Sequence, residues 1–126
     1  MRKTPLTLRP LFWMASSKKD FLKFPDEVVD DYGFELYRIQ GGLRPAVAKP
    51  LAGFGAGVLE LAGQFSGNAY RTVYTVRFER AVYVLHAFQK KSKRGISTPQ
   101  TDIALIRRRL ADAAVDYALR FDEETK

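Results

Sequence analysis

The sequence predicts one small α+β domain, helices laid on an antiparallel sheet, in the order β-α-α-β-β-β-α. Three observations predict it. Strand-like runs at 58–62, 69–78 and 81–88 follow one another across short gaps rich in turn residues. Two other segments space their apolar residues at helical intervals. The chain has 126 residues, 46% hydrophobic and 13% aromatic, which is enough for one core and too little for two ordinary domains. Residues 1–126 are therefore taken as a single domain, with 1–8 a loose leader and 119–126 an acidic tail.

LFWMA (11–15) is short, apolar and aromatic, as expected of a first strand. Ser17 followed by Asp20 resembles a capping box, and Phe21, Leu22 and Phe24 give the next short helix an apolar side before Pro25 ends it. A second helix is predicted from Asp26. Val28, Val29, Tyr32, Leu36 and Ile39 line it, Gly33 weakens it, and Gly41-Gly42 stops it. Residues 43–57, with their prolines and the GFGAG cluster, are expected to be loop. VLELA, AYRTVYTVRF and AVYVLHAF then form a meander with turns at SGN and at Glu79-Arg80. In the final helix Thr98 is the expected cap and Pro99 the first position. Its apolar stripe is Ile103, Ile106, Leu110, Ala113 or Ala114, and Tyr117. Arg107, Arg108 and Arg109 are expected beside or opposite that stripe.

With 21 Lys and Arg against 14 Asp and Glu the formal charge is +7, which favours an anionic partner. The lack of cysteine removes disulfides and thiolate chemistry. The N-terminal apolar run is too brief for a signal peptide or a membrane span, so a cytoplasmic protein with no membrane partner is expected. GFGAG (53–57) lacks the lysine and hydroxyl of a phosphate loop and precedes a strand, so a flexible connection is expected there. His86 is the single histidine, and without cysteines it gives no metal cluster. Alternation puts it with Val82, Val84 and Phe88 on one strand face, where a packed histidine and a general base both remain open. No serine elbow and no paired carboxylates point to a classical hydrolase.

The basic residues are more informative. Arg71 and Arg77 share one alternation phase, and Lys90, Lys91, Lys93 and Arg94 cap the next strand, interleaved with Tyr70, Tyr74, Tyr83 and Phe88. Such a set can hold phosphates on its cations and bases on its rings. It also fits a charged sheet edge that discourages aggregation.

KPLAGFGAGVLEL (49–61), AYRTVYTV (69–76) and YVLHAFQKKSKRGISTPQTDIALIRRRL (83–110) resemble the phage-derived, HigB-like branch of the RelE/ParE toxin superfamily. YR…Y, HAFQKKS and the TP before the last helix are the most specific pieces. The resemblance implies a RelE-like fold whose sheet is mixed at the N-terminal strand. It also implies the toxin of a type II toxin–antitoxin module that cleaves mRNA in the ribosomal A site. The RNA's own 2′-hydroxyl is the nucleophile there, so no covalent residue, metal or cofactor is expected. Arg71 matches the family's strand arginine at the scissile phosphate, Lys91 the second catalytic cation, and Lys90 its basic neighbour. Arg77, Lys93, Arg94 and Lys49 are the candidates for RNA-backbone contact. Glu60 and Ala62 stand where many relatives carry bases. Glu60 is a candidate acceptor for the 2′-hydroxyl proton or a structural partner of a cation. The tyrosine that usually follows the cationic run is replaced near Ser97, leaving Tyr74, His86 or a lysine for the general acid. The implied partners are a helix-turn-helix antitoxin, the ribosome and mRNA, with operator DNA reached only through the antitoxin. A gyrase-binding ParE-like toxin and a degenerate member that binds its antitoxin without catalysis stay open as alternatives.

Overall fold

The computed structural model describes residues 7–90 and 98–121. Eight elements follow in order: β1 (Leu11–Trp13), α1 (Ser17–Phe21), α2 (Asp26–Gln40), β2 (Ala48–Pro50), β3 (Val58–Phe65), β4 (Asn68–Thr75), β5 (Val82–Lys90) and α3 (Gln100–Phe121). The strands make one five-stranded sheet in the order β1-β5-β4-β3-β2. β1 runs parallel to β5, and the other neighbours are antiparallel.

Alternation along the strands splits the core between the two faces of the sheet. Leu59, Leu61, Tyr70, Tyr74, Val82 and Val84 meet Phe21 of α1 and Val28, Tyr32, Leu36 and Ile39 of α2. Val58, Val73, Tyr83 and Leu85 turn the other way, toward Ile106 and Ala113 of α3. The helical spacing expected of α2 is the one it buries. The β3–β4 hairpin closes on Ser66 and Gly67, both at positive φ, the signature of a type I′ turn within the expected SGN.

Several local expectations are corrected. Residues 43–57 contain a strand, β2, because Ala48, Lys49 and Pro50 pair with Leu61, Glu60 and Leu59 at the sheet edge. β4 ends at Thr75, before Arg77. Ser16, one residue earlier than expected, precedes α1, and its hydroxyl donates to Asp20 Oδ2 at 2.8 Å. Ser17 is instead buried, donating to the Val84 carbonyl. Pro25 begins α2 rather than ending α1. Pro99 accepts the bond from Ile103 N–H and so stands at the cap position expected of Thr98. α3 continues to Phe121, so the start of the acidic tail is helical.

The GFGAG stretch is bonded rather than loose. Arg77 donates from Nη2 to the Phe54 carbonyl at 2.6 Å and from Nε to Ala56 at 3.3 Å. Gly57, at φ 87°, lies so close to the Arg77 backbone that a Cβ would sit 3.2 Å from it.

A β-bulge in β5 decides the geometry of the site. Tyr74 pairs with Val84 but Val73 pairs with His86, so Leu85 is the extra residue. Its carbonyl accepts from Arg109 Nη1 at 3.0 Å, and Arg109 Nη2 reaches Ser16 Oγ at 3.2 Å. Arg109 is thus buried under α3 and not displayed beside its stripe.

Candidate functional site

Below the bulge, the α3 face of the sheet carries three rows of side chains. The first runs Lys49, Glu60, Val73, His86 across β2, β3, β4 and β5. The second is Ala62, Arg71, Phe88, and the third Gln64, Ala69, Lys90. Glu60, Arg71, His86 and Lys90 are all buried, while Lys49 is exposed at the edge. The bulge corrects the placement of His86. It shares a face with Phe88 but lies opposite Val82 and Val84, because one extra residue inverts the alternation between them.

Arg71 Nε stands 3.7 Å from Glu60 Oε1, close enough for an ion pair and too far for a hydrogen bond. Both atoms are closed to solvent and without a hydrogen-bond partner among the described residues. Burial raises the pKa of Glu60 against the opposing pull of Arg71, Lys90 and Lys49. Burial also lowers that of Lys90, with Arg71 pushing the same way and Glu60 opposing. The cluster therefore holds a carboxylate that takes up a proton more readily than usual beside cations that attract an anion. A cleft of about 490 Å³ opens on Glu60, lined also by Lys49, Pro50, Gln100, Ile103 and Arg107.

His86 packs its ring on Phe88, with centroids 4.7 Å apart, and its Nε2 lies 2.7 Å from Asp102 Oδ1 on the first turn of α3. Nδ1 is buried with no partner among the described residues.

The structure does not bring every expected residue here. Tyr74 points to the α2 face, fully buried, and burial pushes its pKa up to about 12. Arg77 is engaged with the glycine loop beyond the end of β4. Lys91, Lys93 and Arg94 lie outside the described residues. Two polar residues escaped the sequence reading, Asp102 and Arg109. Their signal was present: Asp102, Ile106, Arg109 and Ala113 follow helical spacing, so one face of α3 carries the partly exposed Asp102 and the buried Arg109. Tyr32 escaped too. Its hydroxyl accepts from Gly63 N–H and donates to the Tyr70 carbonyl, each at 2.7 Å, joining α2 to the β3–β4 ladder one residue from Ala62 and Arg71.

Among the described residues no group of His, Asp or Glu is placed to hold a metal ion, and no helix is long and apolar enough to cross a membrane. A family model described as phage derived protein Gp49-like matches residues 19–111. In structure the chain is similar to the toxin RelE of E. coli, a double arginine-to-alanine mutant in its free state. The TM-score is 0.51 at 21% identity, covering 64% of this chain and 82% of that one. It is also similar to a RelBE toxin–antitoxin complex from Mycobacterium tuberculosis, with TM-score 0.47 at 21% identity, covering 67% and 100%. No curated protein matches. The α+β fold is RelE-like, as the resemblance in the sequence implied.

Proposed function

The chain belongs to the phage-derived Gp49-like family, and from that premise we propose that it is a toxin of a type II toxin–antitoxin module that cleaves ribosome-bound mRNA. The observation that carries this reading is the Glu60–Arg71–Lys90 cluster, in which one proton acceptor and two cations are buried together, with Glu60 Oε1 and Arg71 Nε lacking a hydrogen bond among the described residues. Leaving such buried atoms without a hydrogen bond costs about 1–3 kcal/mol each, a cost that an entering RNA phosphate and ribose hydroxyl would relieve.

Glu60 takes the proton of the 2′-hydroxyl, whose oxygen attacks the adjacent phosphorus. Arg71 and Lys90 face the non-bridging oxygens, where charge builds in the transition state. Lys91, next in sequence after Lys90, is the second cation suggested by the family resemblance. The products are a 2′,3′-cyclic phosphate and a free 5′-hydroxyl. Within this reading the chain is a HigB-like member, a helix-turn-helix antitoxin is the partner and repressor, and the work is done in the cytoplasm, on the ribosome.

Inducing the gene tests this. Growth should stop, and new mRNA 5′ ends should map within translated codons. Arg71→Ala should lower cleavage on purified ribosomes by about 10²–10³-fold. Arrest with intact transcripts, with double-strand breaks in DNA, or with Arg71→Ala still fully toxic would point to a gyrase-type or other target and reject the nuclease.

A further inference from the structure

The cluster supplies a base and charge relief, yet strand scission also needs a proton for the departing 5′-oxygen. The first row of the site offers a donor on the far side of β4 from Glu60, with Val73 between them and Arg71 in the adjoining row. Glu60 on β3 and His86 on β5 flank β4 and face the same way, so their Cβ atoms stand two strand spacings apart, about 10 Å. In-line displacement puts the entering and leaving oxygens on opposite sides of phosphorus. Two proton-transfer hydrogen bonds of about 2.7 Å added to that axis make a span of this order.

His86 is built for one role more than packing. A carboxylate only accepts, so Nε2 carries the proton shared with Asp102 Oδ1 at 2.7 Å, and this bond fixes the ring. Phe88 fixes the ring plane. What is left is Nδ1, buried and unpartnered among the described residues, in the same state as Glu60 Oε1 and Arg71 Nε on the same sheet face. Three unsatisfied atoms on adjoining rows are explained together if one ligand satisfies all of them.

Building on the RNA-cleavage reading, we infer that His86 is the general acid of this site, donating from Nδ1, and that Asp102 is its positioning residue. As the O2′–P bond forms, Glu60 receives the 2′ proton. As the P–O5′ bond breaks, its electron pair stays on O5′, which takes the proton of His86 and leaves as the 5′-hydroxyl. The imidazole left behind is neutral, Glu60 is protonated, and solvent exchange restores both.

The test uses the full-length protein, purified ribosomes, and an mRNA carrying either the ordinary A-site linkage or one with sulfur in place of the bridging 5′-oxygen. A thiolate leaves without a proton, so loss of the acid no longer matters. On the ordinary linkage His86→Gln should lose about 10²–10⁴-fold. On the sulfur linkage it should cleave at nearly the wild-type rate. Asp102 sits in the first turn of α3 with a partly exposed carboxylate, so Asp102→Asn keeps the fold if His86→Gln does not. It should show a smaller loss that the sulfur linkage also rescues, while Asp102→Glu restores much of the ordinary rate. Equal defects on both linkages, no defect, or rescue confined to Lys90→Met would overturn the assignment while leaving the nuclease intact. A wild-type protein unable to cut either linkage would reject the nuclease, and the acid with it.

Discussion

Glu60 concentrates the physics of the site in one carboxyl group. Its neighbours on the face are cations, yet burial outweighs them and its pKa rises above the ordinary 4.5. The folded protein thus holds a proton that the unfolded chain has already released. Its stabilising share is fully present below the ordinary glutamate range and is lost as pH rises through the raised value. Urea midpoints of the wild type should accordingly fall with pH above about 4.5, and Glu60→Gln should flatten that slope. A wild-type midpoint that climbs through the same window would show the cations winning. The same substitution removes the proposed proton acceptor, so RNA cleavage should drop by about 10²–10⁴-fold even where stability improves. Ala62, directly across from Arg71, fits this picture. Its small side chain adds no cation at that position, and the guanidinium faces Glu60 instead.

At the scale of elements, the bulge in β5 and helix α3 are one device. The bulge frees the Leu85 carbonyl from the ladder, and Arg109 occupies it while also holding Ser16 ahead of α1. Tyr83 adds a second tie, donating to Asp116 at 2.6 Å, and Tyr117 accepts from the Arg80 backbone. Arg109→Ala should cost about 2–3 kcal/mol, because a buried carbonyl and a hydroxyl lose charged donors. Arg109→Lys should recover little of it, since an ammonium lacks the planar fork that spans both acceptors. A shift under about 0.5 kcal/mol in urea unfolding would remove Arg109 from this role. α2 was legible beforehand because Val28, Tyr32, Leu36 and Ile39 obey one period. β2 was not, since three residues ending in proline carry no pattern and exist as a strand only through β3.

Over the whole molecule, charge is divided between faces. α2 bears Asp26, Glu27, Asp30, Asp31 and Glu35 against Arg38 alone, within a chain of net charge +7. The surplus of positive charge therefore lies elsewhere, and the α3 face displays Lys49 and Arg107 at the mouth of the cleft. A polyanion such as the proposed RNA substrate would be drawn to that face and repelled from α2. Lys49→Ala should weaken ribosome binding and reduce the slope of log affinity against log salt by about 0.7, the value for one phosphate contact on single-stranded RNA. An unchanged slope would place Lys49 outside the RNA path.

The α+β class, the helix periods, the meander and the basic character were determined by the sequence alone, because each depends on residues close in the chain. Arg71, Glu60, His86 and Lys90 were visible there as candidates, but their common face was not. Lys91, Lys93 and Arg94 remain candidates that only the sequence describes. Tertiary structure decided that Tyr74 faces away and that Arg77 serves the glycine loop. It also decided that Asp102 meets His86 across sixteen residues of chain. The reason is register: a single unpaired residue at Leu85 inverts every side chain after it, and whether it is left unpaired depends on a neighbouring strand and on an arginine from the last helix.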